Sequence, residues 1–82
     1  MMDMRTTSRT YRYQALSDAI EILDFMRERR VWINPKRIAE FMEWEQNEAN
    51  LKRIRRIIHA LKRVQKVEIQ YDKCVLYGKA IR

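Results

Sequence analysis

The hydrophobic positions of this chain change period three times, and each change marks an element. Leu16, Ala19, Ile20, Leu23 and Met26 recur at three- and four-residue spacing, with Asp18, Glu21, Asp24 and Glu28 between them. That is the pattern of an amphipathic helix, with Ser17 placed to cap it. Val31-Trp32-Ile33 is short, apolar and β-leaning, and predicts a short strand at 31–33. Asn34-Pro35 then supplies an N-cap followed by proline at the first helical position. The second helix starts there, buries Ile38, Ala39, Phe41 and Met42, and frays into the polar stretch 43–50. Asn47 or Asn50 caps a third helix.

In that third helix Leu51, Ile54, Ile57, Ile58, Leu61 and Val64 form one stripe about 120° wide, taking ~100° per residue. Lys52, Arg55, Arg56, His59, Lys62, Arg63 and Lys66 fill a second stripe roughly opposite. Beyond it Val67 to Tyr71 alternates strictly, as a half-buried strand does. Cys74 to Tyr77 returns as its antiparallel partner across Asp72-Lys73. A two-residue loop there pairs Ile69 with Leu76 and Tyr71 with Cys74, and makes Cys74 a small buried hydrophobe. Asp-Lys suits a type I′ turn poorly, because both central residues need positive φ, so a longer or bulged loop stays open.

Charge changes the picture more than length does. The 82 residues carry 18 Lys and Arg against 11 Asp and Glu, a formal charge of +7. Residues 49–66 contain Lys52, Arg53, Arg55, Arg56, Lys62, Arg63 and Lys66 with no acid, so this stretch alone equals the net charge of the whole chain. The remainder is nearly balanced. Size allows one domain, read as 15–82, preceded by a flexible basic arm over 1–14 with Arg5, Arg9 and Arg12.

Several chemistries are excluded by what is scarce. One cysteine and one histidine leave no disulfide within the chain and no structural zinc site. A single glycine, Gly78, excludes the phosphate-binding P-loop and the dinucleotide fingerprint. The longest apolar run is Cys74 to Tyr77, far short of the ~18 residues of a membrane span. Ser8, Ser17 and the carboxylates form no nucleophile, base and orienter set. The reading is therefore of a cytoplasmic protein, nucleoid-associated or in the host cytoplasm if viral, that is not an enzyme and uses no cofactor, metal or small-molecule ligand.

The order helix, short strand, helix, turn, basic helix, two-stranded ribbon is that of an α+β winged helix-turn-helix domain. Residues 15–68 resemble the DNA-binding domain of bacterial and archaeal winged-helix regulators, especially the IclR and MarR types. The resemblance is carried by Ala15-Leu16 to Ile22-Leu23, by Ile33-Asn34-Pro35 with Ile38-Ala39, and by Ile54, Ile57, Ile58 and Leu61. Such domains usually have a small residue or glycine in the turn after helix 2, where this chain has Glu43-Trp44-Glu45-Gln46. They often end helix 3 on glycine, where Gln65 stands. The resemblance implies a three-helix bundle with a hairpin wing, and no effector domain is recognisable.

A merely solvated helix mixes signs to gain i,i+4 pairs, so bases without acids point to an anionic partner. Double-stranded DNA is the leading expectation, read by helix 3 in the major groove, in a small transcriptional regulator of the kind a phage, plasmid or archaeal virus carries. Lys52, Arg53, Arg55 and Arg56 lie nearest the helix start and are the base-edge candidates. His59, Lys62 and Arg63 are phosphate candidates, and Lys73 extends the contact from the wing. A homodimer, through helix 1 or the terminal strands, would match a palindromic site. Two other readings stand beside it: a protein-interaction module, as an inhibitor or assembly factor, meeting an acidic protein, and an RNA binder.

Overall fold

A computed structural model describes the backbone of residues 4–81 and the side chains of residues 14–81. It is an α+β arrangement of three helices followed by a two-stranded antiparallel hairpin. The arm expected over 1–14 falls largely outside the described side chains; the backbone of the first helix runs from Met4.

Helix α1 (Met4–Arg29) contains no glycine or proline and ends where Arg30 turns left-handed, at φ 54°. Its inward face corrects the sequence reading in part, since Met26 is buried and Leu23 packs against the core as expected. Ile22, Phe25 and Met26 are buried together with Asp18, whereas Leu16 and Ile20 are 59% and 54% exposed. Ser17 lies inside the helix and caps nothing. Two apolar stripes run side by side on α1, and the inner one wins because it meets more. Phe25 stacks on Phe41 with ring centroids 4.2 Å apart, and the methyl group of Met26 lies against Gly78.

Helix α2 (Pro35–Met42) begins as expected, with Asn34 Oδ1 accepting the backbone N–H of Arg37 at 2.9 Å and Pro35 at the first turn. It buries Pro35, Ile38 and Ala39, while Phe41, expected in the core, stays 44% exposed behind its stack on Phe25. Glu43 closes the helix at φ 59°, and Trp44 N–H donates to the Ala39 carbonyl at 2.9 Å. Helix α3 (Glu48–Arg63) is capped by Asn47, whose Oδ1 accepts the Asn50 N–H at 2.9 Å. Asn50 serves the turn instead, donating through Nδ2 to the Glu45 carbonyl at 2.8 Å. Leu51, Ile54, Ile58 and Leu61 are buried as the periodicity requires, Ile57 is half-buried, and Val64 is exposed.

The exit from α3 is a left-handed cap built without glycine. Gln65 sits at φ 60°, its N–H reaching Lys62, and Lys66 N–H reaches back to the Leu61 carbonyl at 2.9 Å. A residue with a Cβ pays steric strain in this conformation that glycine does not. Gln65→Gly is therefore expected to raise stability by about 0.5–1 kcal/mol, read as a higher urea midpoint at unchanged slope.

Strands β1 (Val67–Asp72) and β2 (Val75–Ala80) pair with Val67 opposite Ala80 and Asp72 opposite Val75. The turn is two residues long but is Lys73-Cys74, at φ 50° and 67°, one position later than the sequence suggested. Ile69 consequently faces Gly78, Tyr71 faces Leu76, and Cys74 is exposed at the tip rather than buried. Gly78 faces inward in this register. A Cβ there would lie 2.8 Å from the flexible tip of Met26, at Cε, and 3.3 Å from Ile58 Cγ2, so a larger residue would shift the methionine tip and press on Ile58.

Gly78 also pairs with the short strand. Ile33 and Gly78 exchange two backbone hydrogen bonds of 2.8 Å each, so the segment before α2 adds one rung outside β2. Ile33, Val67 and Leu76 join the buried residues of all three helices in a single core. At the far end, Ile81 N–H donates to the Lys66 carbonyl and ties the end of β2 to the start of the hairpin.

Candidate nucleic-acid interface

The face of α3 that turns away from the core holds the charge. Lys52, Arg56, His59, Lys62 and Arg63 are all exposed along it, and Lys66 is exposed just past the left-handed exit at Gln65. Their spacing follows from the buried stripe: once Leu51, Ile54, Ile58 and Leu61 face inward, Lys52, Arg56 and Arg63 fall about 140–180° away at ~100° per residue, with His59 and Lys62 between them and the stripe. Both termini of α3 are fixed by the caps described above, so the row of bases sits on a rigid element.

Arg55 and Arg53 depart from that row in different ways. Arg55 is half-buried and donates to Glu48 Oε1 at 2.6 Å, one carboxylate in the first turn of α3 neutralising one base two turns on. Arg53 points elsewhere altogether. Its Nη2 donates to Asp18 Oδ2 on α1, and its guanidinium lies 4.6 Å above the Trp44 ring. Gln14 Nε2 donates to the other oxygen of the same carboxylate at 3.1 Å. Asp18, read from sequence as one of a solvated acidic stripe, is thus a buried carboxylate held between two elements. Arg53 is the third party that joins α1, α3 and the turn between α2 and α3.

The hairpin stands next to the charged face. The Tyr71 hydroxyl lies 3.4 Å from His59 Nε2, and Lys73 is exposed in the turn beyond. Between the first half of α3 and the hairpin lies a groove of about 450 Å³, with Lys36, Glu48, Arg55, Tyr71, Cys74 and Tyr77 among its walls. Of the residues expected in a site, Lys52, Arg56, His59, Lys62 and Arg63 share one surface, Arg55 edges it from the groove, and Lys73 lies at the hairpin tip.

No protein-family model, curated protein or solved structure matches the chain. The geometry therefore stands by itself. It adds three residues to those expected. Lys66 adds an exposed base just past the end of α3, Tyr71 brings an aromatic ring beside His59, and Lys36 reaches the groove from the first turn of α2. Lys66 stood in the cationic stripe of the sequence but lies beyond the end of α3; the other two depend on tertiary placement. Among the described residues no helix is long and apolar enough to cross a membrane.

Proposed function

We propose that this chain is a winged-helix protein that binds double-stranded DNA, with α3 entering the major groove and the β1–β2 hairpin as the wing, and that it acts as a transcriptional regulator. One observation carries the reading. Of the bases along the outer face of α3, only Arg55 has an acidic partner among the described residues. Exposed like charges at i,i+3 and i,i+4 repel one another, a cost that an anionic partner removes. Neutralising duplex phosphates also releases their condensed counterions.

The fold supports this reading in a second way. The hairpin beside α3, and the pairing of Ile33 with the second hairpin strand, are compatible with a winged-helix layout. An α-helix fits the ~12 Å major groove, where the fork of Arg56 can meet guanine O6 and N7. Lys62, Arg63 and Lys66, further along, are placed for phosphates. Arg55 reads a base only by exchanging Glu48 for it, so its contact is conditional on the partner.

Titration of the full chain into random duplex DNA at several salt concentrations tests the reading. With about five phosphates neutralised, log K falls against log salt with a slope near −4.5, roughly 500-fold between 50 and 200 mM. Absence of binding at low salt overturns it. Selection of bound sites from a random duplex library then gives the preferred sequence and the spacing of any half-sites.

A further inference from the structure

We infer that His59 and Tyr71 form a proton-dependent phosphate contact between α3 and the hairpin, so that the protein takes up a proton when it binds DNA and binds more tightly below neutral pH. The inference rests on the proposed reading of α3 and names how that same surface is regulated. Histidine is the side chain that ordinarily changes charge between pH 5 and 8. His59 is the one histidine of the chain, and it stands exposed within the row of bases.

Its surroundings on α3 are uniformly cationic. The positions three and four residues away in either direction are Arg55, Arg56, Lys62 and Arg63, the neighbours that meet on a helix surface. Among the described residues no carboxylate pairs with His59, and Glu48 is taken by Arg55. From the hairpin the group that faces it is Tyr71, whose hydroxyl lies 3.4 Å from Nε2, with Lys73 exposed in the turn beyond. Glu68 and Asp72 occupy the alternate positions of β1 and so fall on its other face. An imidazolium here has no anion of the protein's own beside it. A phosphate lying along α3 becomes that anion.

The contact with Tyr71 shows what the proton changes. In the neutral ring one nitrogen donates and the other accepts. When Nε2 accepts the Tyr71 O–H, only Nδ1–H is left for a third group; when Nε2 donates to the Tyr71 oxygen, only the Tyr71 O–H is left. The imidazolium donates to Tyr71 through Nε2 and leaves both Nδ1–H and the Tyr71 O–H to be given. Protonation therefore adds one charge and raises the free donors of the pair from one to two, whichever tautomer precedes it. Phosphate oxygens accept such charge-assisted bonds. Both side chains are exposed, Tyr71 by 61%, so a phosphate reaches them without any movement of the core. Because linkage is reciprocal, a proton that tightens DNA binding is itself held more tightly in the complex.

Titration of the full chain into random duplex DNA at about pH 5.5 and about pH 8, each at several salt concentrations, tests this. One more phosphate neutralised at the lower pH steepens the slope of log K against log salt by about 0.9 and tightens binding roughly eightfold at about 0.1 M salt. His59→Gln is expected to lose this response, and any response of another titrating group persists in that variant and is set aside by the comparison. Tyr71→Phe is expected to keep the steeper slope, since the charge remains, and to bind about threefold more weakly than wild type at the lower pH. Both residues are exposed, so unchanged circular dichroism is expected for both variants. Wild-type binding that ignores pH, or a His59→Gln variant that responds as wild type does, overturns the proposal and leaves α3 as the DNA-binding face. Tyr71→Phe equal to wild type at the lower pH overturns the part given to Tyr71. No binding at either pH in low salt removes the reading of α3 itself, and this inference with it.

Discussion

Arg53→Ala is expected to destabilise the fold by about 3–5 kcal/mol, because it strands the buried carboxylate of Asp18 without its cationic partner. Asp18 is only 3% exposed, and its one other side-chain partner among the described residues is Gln14. The opposite truncation, Asp18→Ala, is expected to cost less, about 1–2 kcal/mol. The Arg53 side chain keeps 37% of its surface in solvent and can turn outward when the acid is gone. The double variant should then be more stable than Arg53→Ala alone, since neither charge is left behind. Urea unfolding of the four proteins measures this, and a domain of this size has only about 4–12 kcal/mol to lose. Equal costs for the two single variants would show that the carboxylate is not isolated by the loss of Arg53. The affinity of folded Arg53→Ala for duplex DNA should match wild type within a few-fold, unlike that of its neighbours Lys52 and Arg56.

The same residue shows where sequence reasoning stops. The core stripe of α3, the asparagine caps at Asn34 and Asn47, and the exposed row of bases all follow from local rules, in which periodicity and capping involve residues within four positions of each other. Arg53 falls outside the cationic stripe on the helical wheel. Nearness to the helix start made it a base-reading candidate, and only its partner 35 residues away shows what it does. Asp18 was misread for the same reason. A carboxylate on an amphipathic helix is ordinarily solvated, and its burial depends on an arginine that no local pattern links to it.

The phase of α1 and the register of the hairpin failed through competition between near-equal alternatives. Leu16, Ala19, Ile20 and Leu23 make as good a stripe as Ile22, Phe25 and Met26, and periodicity cannot say which one meets the domain's own core. Neither Asp72-Lys73 nor Lys73-Cys74 is a favoured hairpin turn, since both force positive φ on residues with a Cβ. Tertiary packing chose between them. Gly78 faces Met26 and Ile58 and bonds to Ile33, and in this register β2 begins one residue later than the sequence reading placed it. The left-handed ends at Glu43 and Gln65 show the same priority, with the chain taking strained geometry where glycine is usual because the packing of α2 and α3 demands it.

Reversing two charges at the middle and end of α3, with Arg56→Glu/Arg63→Glu, is expected to produce the largest functional change, at least a 100-fold loss of affinity for duplex DNA at about 0.1 M salt. The two residues lie seven positions apart on the exposed row, two turns along one side of the helix, so both would lie along the same groove wall. Each substitution removes a counterion-releasing contact and sets a carboxylate against phosphate, and the salt slope should become shallower by about 2. Net charge alone predicts a different outcome. Arg27→Glu/Arg29→Glu on α1 lowers the formal charge from +7 to +3 as the first pair does, but on another element. If binding is a property of the α3 face, the α1 pair should lose only a few-fold, through the weaker long-range field that steers encounter. Equal losses from the two pairs would mean that the protein binds DNA as a diffuse polycation, and α3 would then have no claim to be a recognition helix.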